Sequence, residues 1–143
     1  MLTKKIRNWL KENEDALLPE YQEKYKKFLL ENGFDKDSSF VEFMSQYSNE
    51  ICGSEGNLFD VVGDLIDYTE TSVNYQIHTK DKVPSNYISL TDDTTECYLL
   101  YNKDNSSVVL VEGANLTRLL DEDFDQEWDS FNEFLLKFLE IDD

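Results

Sequence analysis

The order of hydrophobic patterns along this chain predicts an α+β fold: N-terminal helices, a small, mainly antiparallel sheet and a C-terminal closing helix. Three observations predict it. Apolar residues recur at helical spacing through the first half, short β-type runs broken by turn residues follow residue 82, and an aromatic stripe of helical period ends the chain. At 143 residues, with no internal repeat or linker, the chain is read as one domain spanning 1–143.

Leu2, Ile6, Trp9 and Leu10 fall on one helical face. Leu17-Leu18-Pro19 interrupts that pattern, and Pro19 suits the first turn of a second helix, where its missing N–H costs nothing. Tyr21, Tyr25, Phe28 and Leu29 form the apolar face of this helix, and Asn32-Gly33 stops it. Ser39-Phe-Val-Glu42 has the form of a capping box ahead of Phe43, Met44 and Tyr47. Cys52–Asn57 reads as a loop. Over 58–78 a single helix is expected, capped by Asp60 and weakened by Gly63 and Thr69–Thr71.

Lys82-Val-Pro84 ends the helical part. Tyr87–Leu90, Cys97–Tyr101 and Val108–Val111 read as strands, the last two joined through the polar turn Asn102–Ser107 as a hairpin. Leu116–Leu120 reads as a further strand. Trp128, Phe131, Phe134, Leu135, Phe138 and Leu139 then give the closing helical stripe, with Ser130-Phe-Asn-Glu133 as a second capping box.

Charge narrows the function. Thirteen Lys+Arg against 31 Asp+Glu leave a net charge of −18. Nucleic-acid binding rests on basic residues neutralising phosphates, so this balance argues against nucleic acid and against anionic membranes as ligands. Disorder is excluded as well, because acidic disordered chains are poor in aromatics and this one has 9 Phe, 8 Tyr and 2 Trp. Residues 1–36 hold eight bases and seven acids. Subtracting that +1 from −18 leaves −19 on residues 37–143. Such a surface attracts a basic protein or cations.

No targeting segment or membrane span is evident. Two cysteines, Cys52 and Cys97, are too few for a disulfide framework, so a reduced, cytoplasmic protein is expected. Catalytic chemistry is sparse. The sole histidine, His78, stands at a helix end, where a capping or surface role accounts for it. No nucleophile–base spacing, Gly-rich phosphate loop or zinc ligand set occurs, so no cofactor and no enzymatic activity are expected.

Asp121-Glu-Asp-Phe-Asp-Gln-Glu-Trp-Asp129 carries acids at alternate positions, like the start of a calcium loop. It departs from that pattern at its sixth residue, Gln126, and at its twelfth, Asn132. A helix dipole explains two or three of these acids. The whole cluster reads equally as a solvated face or as a docking face for a basic partner.

The ordered motifs resemble the SUKH superfamily, the Smi/Knr-like group of α+β domains. They are Trp9 in the first helix, Leu18-Pro-Glu-Tyr-Gln22, Tyr25-Lys-Lys-Phe-Leu29 leading to Asn32-Gly33, Val83-Pro-Ser-Asn-Tyr-Ile-Ser89, the strands Tyr98–Tyr101 and Val108–Val111, and Trp128-Asp-Ser-Phe-Asn-Glu-Phe-Leu135. Thr91-Asp-Asp-Thr-Thr-Glu96 replaces the Gly-rich turn common in that family. The resemblance implies a binding module rather than a catalyst: an immunity protein that neutralises a cognate toxin, often a nuclease with a basic cleft. Asp92, Asp93, Glu96, Asp121, Glu122, Asp123, Asp125 and Glu127 are the expected partner-binding residues. A regulatory scaffold of the cell-wall synthesis type and an acidic calcium-binding module are the alternatives.

Overall fold

The computed structural model describes residues 1–92 and 96–141. Among them lie seven helices and six strands in two antiparallel sheets, an α+β arrangement ending on a helix. None of these helices is long and apolar enough to cross a membrane.

Helix α1 (Lys4–Asn13) begins at Thr3, whose hydroxyl accepts the Ile6 N–H, and buries Ile6 and Leu10. Helix α2 (Pro19–Glu31) has proline in its first turn. Its end is closed by two backbone bonds, Gly33 N–H to Leu30 O and Phe34 N–H to Leu29 O. That closure places Gly33 at φ +84°, a left-handed conformation that glycine adopts without penalty. Helix α3 (Ser39–Tyr47) starts one residue earlier than the capping-box reading requires. Ser38, not Ser39, accepts the Val41 N–H. Glu42 is thereby released from capping, accepts the Leu2 N–H and holds Arg7 through two bonds of 2.6 and 2.8 Å.

The segment expected as a loop is a small hairpin, β1 (Ile51–Gly53) paired with β2 (Gly56–Leu58). The helix expected over 58–78 is two, α4 (Val61–Ile66) and α5 (Val73–Thr79). They part where the Ser72 hydroxyl accepts the Thr69 N–H, a local bond that competes with the helical ladder. Asp64 then caps α5 from outside, accepting the Val73 and Asn74 N–H groups at 2.8 and 2.9 Å. Asp60 caps α4 through the Gly63 N–H, as its position suggests, and also accepts hydroxyls from Tyr25 and Ser48.

Strands β3 (Tyr87–Ser89), β4 (Cys97–Asn102), β5 (Val108–Glu112) and β6 (Gln126–Trp128) form the larger sheet in that order. The register pairs Leu99 with Leu110 and Tyr101 with Val108 on one face, and Tyr98 with Val111 and Leu100 with Val109 on the other. Both faces are covered. The first meets α1, α3 and α7 (Phe131–Phe138) in the main core, while the second packs on Ile77, Val83 and Leu119. Double burial explains why β4 and β5 read as unbroken apolar runs rather than alternating ones.

Leu116–Leu120 is not a strand but helix α6, capped by the Asn115 side chain on the Arg118 N–H. Trp128 belongs to β6 instead of the closing helix, and packs edge-on against Phe134 at 5.2 Å. Ser130 caps α7 as expected. Glu133, however, reaches back to the Asp129 N–H rather than to that of Ser130.

Candidate partner-binding face

The expected binding residues divide between two sides of the sheet. Glu96 precedes β4, and its carbonyl accepts the Gly113 N–H at 3.0 Å. Across the ladder Cys97 faces Glu112, and Leu110 faces Gln126, so these side chains share the sheet face that bears the main core. With Ser54 and Glu55 of the small hairpin they line a hollow of about 360 Å³. The Glu55 side chain is only 8% exposed, bonded to the Ser54 hydroxyl and 3.9 Å from Lys137. Burial, with Glu112 nearby, pushes the Cys97 thiol above its ordinary value, which keeps it protonated and unreactive. Both cysteines are unbridged.

The acids of 121–127 play two roles. Arg118 donates to Asp123 at 3.1 Å and grips Asp125 with a two-pronged pair of 3.1 and 3.0 Å. Asp125 further accepts the Glu112 N–H at 2.7 Å, while its own N–H goes to Leu110 O. These two acids therefore fasten the α6–β6 connection to β5. Asp121, Glu122 and Glu127 are exposed and have no ion-pair partner among the described residues. Glu127 pairs with Val109, so it stands on the sheet face opposite Gln126. There Glu122 and Glu127 add to burial in raising the Tyr87 phenol. Asp92 is half-buried ahead of β4, and Asp93 lies outside the described residues.

Sequence reasoning missed Glu55 and Glu112. Glu112 was within reach, since counting outward from the Asn102–Ser107 turn sets it opposite Cys97. Glu55 joins them only through the packing of the hairpin on α7, where the Ser54 N–H donates to Phe138 O at 2.9 Å. Among the described residues, no three His, Cys, Asp or Glu side chains are placed to hold a metal ion.

The Arg118 clamp makes a pH prediction. Arg118, helped by the Glu112 N–H, holds the Asp125 carboxyl below its ordinary range. A carboxyl depressed in the folded state binds its proton more readily when unfolded. Its stabilisation is present above the unfolded value of about 3.9 and fades as pH falls through the folded value. Asp125→Asn is therefore expected to melt below the parent at neutral pH, with the gap narrowing at pH below about 4. A thermal melt series that finds the same gap from neutral to acid would remove the clamp from the stability account.

No family model matches this chain, and no curated protein or solved structure matches it.

Proposed function

We propose that this chain is a non-enzymatic protein-binding module that captures a basic protein, and that its partner is a cognate toxin. The observation carrying the reading is the uncompensated negative charge around the larger sheet. Glu96 is exposed ahead of β4, and Asp121, Glu122 and Glu127 are exposed along the α6–β6 connection and on β6. Of the nearby bases, Arg118 is already committed to Asp123 and Asp125, and Lys137 approaches Glu55. Uncompensated acids raise the encounter rate with a basic surface and repel anionic competitors, while apolar anchors supply most of the affinity. The motif order shared with SUKH domains supports the toxin as partner class.

The test leaves the structural acids intact. Asp121→Asn, Glu122→Gln, Glu127→Gln and Glu96→Gln are combined, and the partner is isolated by co-purification from the native host. A basic partner is expected, with an association rate that falls roughly tenfold or more in the quadruple variant and in high salt, at an unchanged melting temperature. An acidic partner, or association indifferent to salt and to the four changes, sinks the reading.

A further inference from the structure

A second site lies away from the acidic face, and it has the opposite character. A cleft of about 320 Å³ opens between the end of α2, the α4–α5 connection and the turn joining β4 to β5. Its size is at the lower end of small-molecule clefts, about 300–1,000 Å³, and suits a ligand of one ring system. Phe34 and Ile88, both nearly buried, and the half-buried Phe28 and Leu65 give it apolar walls.

The polar groups around these walls are Asn32, Tyr68, His78, Ser85 and Lys103. Among the described residues no carboxylate lines the cleft, although the chain carries 31 Asp+Glu. Lys103 is fixed in place. Its ammonium donates to Asn32 O at 2.6 Å and stands 4.8 Å from the centre of the Phe34 ring. Among the described residues no carboxylate lies within ion-pair distance of this ammonium. Two of its three donors remain for a ligand once the Asn32 bond is counted.

The facing wall carries a hydrogen-bond chain. His78 Nε2 lies 2.6 Å from Tyr87 O, which can only accept, so Nε2 bears the proton. Nδ1 lies 2.9 Å from the Tyr68 hydroxyl and ties that phenol to the ring. The Tyr68 oxygen stands at the rim, as does the exposed Ser85, whose hydroxyl has no partner among the described residues. An unpaired ammonium, hydroxyls and apolar walls together match one chemical class. We propose that this cleft binds a small aromatic carboxylate, its ring against Phe28, Phe34, Leu65 and Ile88 and its carboxylate on Lys103 Nζ.

The net charge of −18 opposes an anion at long range. Salt screens that repulsion beyond about 8–10 Å, so the groups lining the cleft decide. This site is independent of the acidic-face reading, and neither fails with the other.

The experiment is a calorimetric and amide-shift NMR titration of the full chain with indole-3-acetate. Neutral indole-3-acetamide and cationic tryptamine serve as charge controls. Saturable binding of the acid is expected, with shifts at Phe34, Leu65, His78 and Ile88. The dissociation constant should rise roughly tenfold or more for the amide and for Lys103→Met, the loss of one charged hydrogen bond. Because Lys103 also holds Asn32 O, Leu65→Gln is measured as a second variant, and each is checked by thermal melting. Leu65→Gln should weaken the acid and the amide alike, since both use the apolar wall. Overturning results are no saturable binding, shifts elsewhere, equal affinity for acid and amide, preference for tryptamine, or unchanged affinity in a folded Lys103→Met or Leu65→Gln chain.

Discussion

Phe131→Ala is expected to lower the free energy of unfolding by about 3–5 kcal/mol, and the melting temperature by about 10–15 °C. Phe131 is fully buried at the start of α7, where three stretches distant in sequence converge. Its ring meets Phe40 of α3 at 5.3 Å, Phe43 at 5.5 Å, Tyr101 of β4 at 5.7 Å and Phe134 at 5.8 Å. Phe40 is itself stacked on Tyr101 at 3.9 Å, so truncation leaves a cavity whose walls brace one another and cannot collapse. Guanidinium titration followed by far-UV and near-UV dichroism checks this. The two signals should move together to a lower midpoint. A loss within about 0.5 kcal/mol, as for a surface position, would show that Phe131 is not the junction of helix and sheet.

That junction was legible in the sequence because its parts repeat at helical or strand spacing over whole elements. Ile6 and Leu10, Tyr25 and Leu29, and Phe131, Phe134 and Phe138 mark the helices that carry it. The polar turn Asn102–Ser107 likewise fixed the β4–β5 pairing. Of the short elements, β3, β4 and β5 showed as apolar runs, whereas β1, β2 and β6 were not legible, because they hold too few apolar positions to show a period. The β1–β2 hairpin offers only Ile51 and Leu58 as buried residues. Strand β6, Gln-Glu-Trp, has little strand propensity of its own and is held by Asp125 and Arg118 from outside it. The break between α4 and α5 depends on Asp64 capping a helix nine residues away.

The candidate face followed the same rule. Its acidity could be counted directly, whereas the division of labour within 121–127 could not. Arg118 reaches Asp123 and Asp125 only because α6 is a helix that turns the chain back on itself. Reading Leu116–Leu120 as a strand hid that reversal, and with it the reason two of the acids serve the fold.

Gly53→Ala is expected to cost about 1–3 kcal/mol, the range for overfilling a packed core. The backbone of Gly53 is not left-handed, so the demand there is for space. A Cβ would lie 2.2 Å from Phe138 Cε2 and 2.4 Å from Cδ2 and Cζ. The ring has nowhere to go, being fully buried and stacked on Phe134 at 5.2 Å. The strand cannot retreat either, because the Ser54 N–H is bonded to Phe138 O at 2.9 Å and Gly53 is paired with Gly56. Contact with the ring makes a specific demand on a double-mutant cycle with Phe138→Leu, which removes the ring atoms but keeps an apolar side chain. The methyl should be cheaper in the leucine background, giving a coupling energy within about 0.5–3 kcal/mol. Equal costs in both backgrounds would place the strain in the hairpin itself and not at its seat on α7. Additivity is thus the unfavourable outcome, since Gly53 is explained here by the ring alone.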